Sequence, residues 1–174
     1  MDYISHYESP LGGITLASDG EALVGLWFDG QAHFGLGLSD EREERDLPVF
    51  AEARRWLDTY FGGEVPGFTP SLAPRGSACQ VKVWKALLTI PYGQTVTYGA
   101  IARALRSSPR AVGGAVGRNP VSLIVPCHRV LGVGNRLTGY AGGLDRKQAL
   151  LKLEGSLADE SRKDSIRGGP AAMP

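Results

Sequence analysis

Apolar and β-branched residues gather in three short runs at the start of the chain, Tyr3–Tyr7, Gly13–Ser18 and Ala22–Phe28, and each reads as a strand. Ser9-Pro10-Leu11-Gly12 gives a turn between the first two, and Asp19-Gly20 a hairpin between the second and third. These signals predict a small antiparallel sheet. Residues 39–46 are a run of charge, expected as a solvated loop. The pattern then changes period: Pro48 suits the first position of a helix, and Val49, Ala53, Trp56/Leu57 and Tyr60 recur at helical spacing up to Gly62-Gly63. One apolar face predicts a helix that covers the sheet, with its aromatic residues in the core. Gly62, Gly63, Pro66, Gly67, Pro70, Pro74 and Gly76 punctuate residues 62–76, which read as a linker.

Beyond the linker the period stays helical. Ser77-x-x-Gln80 is a capping-box pattern, and Val81, Trp84 and Leu88 fall on one face of the helix it opens, with Pro91-Tyr92-Gly93 as its stop. A second short helix is expected over about Tyr98–Leu105, burying Ile101 and Leu105. Ser108-Pro109 opens a third, to about Gly117. Two short helices around a tight turn match a helix-turn-helix. The run Val121–Val125 reads as a short buried strand or extended segment that Pro126 ends. A Gly-rich loop, 132–139, precedes Tyr140-Ala141-Gly142-Gly143. The last helix, Leu144–Glu154, shows Leu144, Leu150 and Leu151 before Gly155. The fold class is therefore α/β in composition, of the α+β kind. A small sheet with its helix (1–70) precedes a mostly helical helix-turn-helix domain (71–155), and 156–174 form a polar tail without periodicity, expected to be disordered.

Charge sharpens this division. The net charge of +1 conceals −8 over residues 1–78 and +9 over residues 79–155. A basic half suits a polyanionic partner, although the two halves could instead attract each other. Two cysteines, Cys79 and Cys127, make no disulfide framework, and a reducing, cytoplasmic setting is expected. No Cys/His spacing suits a metal, no apolar run is long enough to span a membrane, and the N-terminus carries no signal-peptide pattern. His6 and His33 read as surface or core residues.

Two places carry chemistry. In the third helix, Gly113-Gly114 costs about 1 kcal/mol per glycine relative to alanine. Either a neighbouring helix packs tightly there, or a nucleic acid approaches the backbone beside Arg110. After Pro126 come a thiol, Cys127, and an imidazole, His128. A thiolate is a strong nucleophile whose pKa a nearby positive charge lowers, yet an adjacent Cys-His pair also occurs as plain structure.

The longer strings decide between these readings. Arg110-Ala-Val-Gly-Gly-Ala, Arg118-Asn119-Pro120 and Pro126-Cys127-His128-Arg129-Val130 resemble the O6-alkylguanine-DNA alkyltransferases. So do Gln80-x-x-Val83-Trp84, Ile90-Pro91-Tyr92-Gly93-x-Thr95, Tyr140-Ala141-Gly142-Gly143-Leu144 and Leu150-x-x-x-Glu154-Gly155. Together they cover nearly all of residues 77–155. Residues 1–70 resemble that family only in arrangement.

The resemblance implies a suicide DNA-repair protein, a monomer needing no cofactor, metal or membrane. It would bind the minor groove of duplex DNA, flip O6-alkylguanine out of the stack and take the alkyl group onto Cys127. O4-alkylthymine is a second candidate lesion. It further implies that Arg110 fills the space left by the base, with Ala111, Gly113, Gly114 and Arg118 along the same DNA-binding surface. Tyr98 would meet the flipped nucleotide and donate to guanine N3. His128, held by Glu154, would take the thiol proton through a water. Asn119 would brace the turn before the active-site segment, and carbonyls around Cys127 and Val130 would accept from the guanine amino group.

Two departures stand out. Cys79 replaces the family's usual phenylalanine and is expected as a small buried substitute. Ala141 replaces a serine of some relatives, so backbone N–H groups of Tyr140–Gly143 would have to serve guanine O6. A non-catalytic lesion binder and a Cys-His hydrolase are the competing functions.

Overall fold

The computed structural model of the chain describes residues 1–157. Residues 158–174, most of the expected disordered tail, lie outside them. The chain divides into two compact units, Met1–Gly76 with Pro120–Ile124, and Ser77–Asn119 with the segment from Val125 onward.

In the first unit β1 (Asp2–Ser9), β2 (Gly12–Ser18) and β3 (Leu23–Phe28) form the expected antiparallel meander, with Tyr7 opposite Ile14 and Leu16 opposite Leu26. Strand alternation puts Ser5, Tyr7, Ile14, Leu16, Leu26 and Phe28 on one face. There α1 (Pro48–Phe61) covers them with Phe50, Ala53, Leu57 and Tyr60, all buried. The helix is also tied to β1, since the Tyr7 hydroxyl donates to Asp58 at 2.6 Å and Arg54 donates to the Ser5 hydroxyl. On the other face Ile4, Ala17, Val24 and Trp27 pack with Leu38 and Ala73. Gly25 is required there, because a Cβ would lie 2.0 Å from the Trp27 indole.

This unit departs from expectation in three places. The charge run holds a fourth strand, β4 (Arg42–Glu44), which adds parallel to β1 at the sheet edge. Its three side chains are all exposed, so it has no apolar face to betray it. Charged edges of this kind also discourage pairing with other chains. The end of the expected linker, residues 71–75, is tied to the sheet. Ser71 and Ala73 bracket Leu23 with hydrogen bonds of 2.8 Å, and Arg75 forks onto Asp2. Val121 bridges Leu26 further along β3, with Pro120 accepting at 2.8 Å and Ser122 donating at 2.9 Å. The expected strand at Val121–Val125 stops after that bridge, because Leu123 turns the chain with a positive φ of 71°.

In the second unit α2 (Ala78–Leu87) opens on a complete capping box between Ser77 and Gln80. Its buried face is Val83, Trp84 and Leu87, one position round from the expected Val81 and Leu88, and Leu88 is exposed. Trp84 donates its indole N–H to the Ala115 carbonyl at 2.8 Å, which locks α2 to α4. Helices α3 (Tyr98–Leu105) and α4 (Pro109–Gly117) lie where expected, N-capped by Thr97 and Ser108. Left-handed Arg106 ends α3, which buries Ile101 and Ala102 while Leu105 is only partly covered. A pair absent from the sequence reading, β5 (Val96–Thr97) beside β6 (Val130–Leu131), joins the start of α3 to the segment after His128. Helix α5 (Leu144–Leu153) follows the loop. Leu144 is exposed, and Lys147 takes the buried position instead. Among the described residues no helix is long and apolar enough to cross a membrane.

Candidate active site

Cys127 begins a one-turn 3₁₀ helix, Cys127–Arg129, directly after Pro126, and it is buried. Burial pushes its thiol above the ordinary range. A hydrogen bond from the Asn119 side chain, the charge of Lys147 and the backbone N–H groups of Cys127 and His128 pull the other way. Asn119 also donates to the Val125 carbonyl at 2.8 Å, so one amide holds both the thiol and the chain that carries it.

Behind the thiol lies a buried polar chain. His128 Nε2 is 2.6 Å from Glu154 Oε2. Arg129 grips the same carboxylate as a fork, Nε to Oε1 at 2.7 Å and Nη2 to Oε2 at 3.1 Å, and its third arm donates to the Ile90 carbonyl at 2.8 Å. The Gly93 N–H adds a contact of 3.2 Å to Glu154 Oε1. Burial alone would raise the Glu154 pKa, but the charge and hydrogen bonds of His128 and Arg129 hold it well below the carboxylate range. Burial also lowers the His128 pKa, against the pull of Glu154. Burial thus favours the neutral imidazole, and Arg129 is the standing counter-ion of Glu154. A carboxylate at Nε2 fixes the proton there and makes Nδ1 the basic nitrogen.

The wall opposite is the Gly-rich loop. The Tyr98 hydroxyl, on the first residue of α3, reaches the Gly139 and Thr138 carbonyls at 3.4 and 3.5 Å. Burial and the nearby Cys127 raise its pKa to about 12, so it remains a donor. Lys147 Nζ reaches the Val130, Thr138 and Gly139 carbonyls at 2.5, 2.9 and 3.2 Å. The Tyr140 hydroxyl is buried and has no hydrogen-bond partner among the described residues. Burial, then the proximity of Cys127, drives its pKa far up. Ala141 is half-buried and offers no hydroxyl.

Outside this wall a mainly apolar groove of ≈ 380 Å³ is lined by Tyr98, Gly99, Pro109, Arg110, Gly113, Gly132 and Val133. Arg110 and Ala111 are exposed at the start of α4. A Cβ on Gly113 would meet nothing within 4 Å, and one on Gly114 only the Arg118 guanidinium at 3.7 Å. Tight packing inside the protein therefore does not account for the glycine pair. Arg118 folds back on its own helix, where its Nη1 donates to the Gly114 carbonyl at 3.4 Å.

The structure thus brings Cys127, His128, Glu154 and Asn119 together on one side, with Tyr98, Val130 and Tyr140 around the wall. Arg110 and Gly113 line the groove, while Ala111, Gly114 and Arg118 do not. Cys79 overturns its expectation. It is exposed, in a separate groove with Lys82, Val83, Leu105 and Arg106. Arg129 and Lys147 belong to the site although the sequence pattern gives neither a role. Lys147 had a readable signal, since it falls three residues after Leu144 and three before Leu150, on the apolar face of a helix. Among the described residues no three His, Cys, Asp or Glu side chains converge on a metal-sized site.

Two family models match the chain in succession: the ribonuclease-like domain of 6-O-methylguanine DNA methyltransferase over residues 3–74 and its DNA-binding domain over residues 78–156. A methylated-DNA–protein-cysteine methyltransferase of Methanosarcina acetivorans is 48% identical over 156 residues, covering 88% of this chain and 99% of that protein. One from Haemophilus influenzae is 43% identical, covering 87% and 86%. The crystal structure of Mycobacterium tuberculosis OGT in complex with DNA superposes with a TM-score of 0.80 at 44% identity, covering 88% of this chain and 93% of that one.

Proposed function

The chain belongs to the 6-O-methylguanine DNA methyltransferase family, the methylated-DNA–protein-cysteine methyltransferases, and from that premise we propose that it repairs a flipped O6-alkylguanine by one irreversible transfer to Cys127. The observation that carries this reading is the buried thiol, with Asn119 on it, His128–Glu154–Arg129 behind it and the Tyr98–Arg110–Gly113 groove outside it.

A stacked base cannot align its alkyl carbon with a buried sulfur, so the nucleotide leaves the duplex first. Unstacking costs a few kcal/mol, and a damaged pair is cheaper to open. Gly113 lets the DNA backbone approach α4, and Arg110, exposed at the first turn, fills the vacated stack. The long contacts of the Tyr98 hydroxyl to the loop are readily exchanged for one to guanine N3. The carbonyls of Cys127 and Val130 accept from the guanine 2-amino group, which adenine lacks. Backbone N–H groups at Tyr140–Gly143 serve O6 where Ala141 has no hydroxyl.

The His128 Nδ1, through one water, takes the thiol proton as sulfur attacks. The S–C bond forms, the C–O6 bond breaks, and its electron pair passes into the guanine ring, where the Tyr98 donation offsets the growing charge. That donation strengthens as the charge develops, so it lowers the barrier rather than merely binding substrate. The guanine anion takes up at N1 the one proton that the thiol gave up, relayed through water, so the products are an S-alkyl-Cys127 thioether and guanine restored in DNA. A thioether is not reversed by any group at the site, so each molecule acts once.

With duplex containing O6-methylguanine, methyl transfer should stop at one equivalent per protein. Cys127→Ala should transfer none yet bind duplex as before. Continued turnover by the unaltered protein, or transfer by the alanine variant, would refute the proposal.

A further inference from the structure

Lys147 is the least expected side chain of the second unit: a lysine with 0% exposure. Burying an ammonium is costly unless it is paired, and such lysines normally meet a carboxylate. Among the described residues none lies within ion-pairing distance of its Nζ, and Glu154 is taken by His128 and Arg129. Three carbonyls, those of Val130, Thr138 and Gly139, hold it instead, and the Tyr98 ring centroid is 6.0 Å away.

These carbonyls are not adjacent in the chain. Val130 opens the short strand β6 after the Cys127 turn, and Thr138-Gly139 close the Gly-rich loop. One ammonium therefore ties the turn that carries the sulfur to the wall that faces it. The Tyr98 hydroxyl leans on the same two loop carbonyls.

The charge has a further consequence. Cys127 becomes an anion in the reaction, inside a site where burial opposes ionisation. Of the basic groups near it, Arg129 and His128 are both engaged by Glu154. Lys147 interacts favourably with the thiolate, lowering the Cys127 pKa and having its own raised in return. Burial outweighs that gain for the amine and brings it down to about 8, which leaves it mostly protonated at neutral pH.

We propose that Lys147 is a positioning residue for Cys127, its ammonium pinning the Val130, Thr138 and Gly139 carbonyls into the pocket wall that faces the thiol and remaining, among the described residues, a cation with no carboxylate partner. The proposal rests on Cys127 being the acceptor, but its test needs no DNA. In a Cys79→Ser background, carbamidomethylation of Cys127 by iodoacetamide is followed by mass spectrometry from neutral to alkaline pH. The groups facing Lys147 whose titration enters the profile are Cys127, His128 and Tyr98.

Lys147→Met and Lys147→Gln should each move the midpoint up by about one pH unit, a loss of about tenfold in rate at neutral pH. Lys147→Arg, which keeps the charge, should recover most of it. Amide exchange across residues 132–140 should quicken in the methionine variant, which has no donor for the carbonyls. Should the methionine variant fail to fold, the glutamine and arginine variants decide the matter. An unshifted midpoint in the folded neutral variants, or equal shifts with glutamine and arginine, overturns the proposal. If methylated duplex leaves the unaltered protein unmodified, the transferase reading fails, and the iodoacetamide profile still decides the role of Lys147.

Discussion

At the scale of single residues the site turns on where charge is allowed to stand. Glu154 is buried and keeps its proton off because His128 and Arg129 both meet its carboxylate, while burial lowers the His128 pKa and favours an imidazole able to accept a proton. Glu154→Gln removes the anion and strands the buried guanidinium. Leaving one partner of such a pair uncompensated costs about 3–5 kcal/mol. A melting curve of the variant should fall accordingly, and its transfer rate should drop by a factor of about 10² or more, as for loss of an oriented general base. The sign of the pH effect also follows. The Glu154 pKa is depressed by folding, so its contribution to stability is present above the ordinary carboxylate range and is lost as pH falls toward the folded value. Asp2, held down to about 2 chiefly by its hydrogen bond to Arg75, behaves the same way. Asp2→Asn should cost about 1–2 kcal/mol at neutral pH, read from denaturant unfolding, with the difference from the unaltered protein shrinking below about pH 4.

At the scale of elements, α4 separates folding from function. Gly113 has open space around its missing Cβ. Gly113→Ala should therefore raise the melting temperature, gaining up to about 1 kcal/mol of helix propensity. The same methyl would stand where DNA is proposed to approach, so duplex affinity should fall. A variant both more stable and unimpaired in binding would contradict that role of α4. Elements with strong local signals were legible in the sequence: Ser77-x-x-Gln80 and Ser108-Pro109 mark helix starts through caps that need no tertiary contact. Elements set by tertiary pairing were not. β4 carries only exposed charge, and β5 and β6 are two residues each, too short for any period. The 121–125 run looks like a strand because it is apolar, yet its burial comes with a turn at Leu123 rather than an extended ladder. The buried face of α2 lies one position round from expectation because Val81 and Val83 are equally apolar, and only tertiary packing chooses between them.

At the scale of the whole molecule, the excess of positive charge over residues 79–155 predicts a binding step dominated by phosphate neutralisation. Affinity for undamaged duplex should fall steeply with salt, and Arg118→Ala should reduce the slope of log K against log salt by about one. Arg110→Ala should weaken flipping, measured by fluorescence of a base analogue, more than it weakens association. The site itself was legible in proportion to how local its chemistry is. Cys127 and His128 are neighbours in the chain and announce themselves. Glu154 could be named only through resemblance, because 26 residues separate it from His128. Arg129 and Lys147 act through backbone carbonyls and a shared carboxylate, and no spacing rule points to such partners.

The alkyl group is proposed to end on one particular sulfur, and the protein carries its own control, because Cys79 is the more exposed thiol. After incubation with duplex containing O6-methylguanine, peptide mass mapping should find one added methyl group on the Cys127 peptide and none on the Cys79 peptide. A methyl group on Cys79, or unmodified cysteines in folded, DNA-bound protein, would contradict the account.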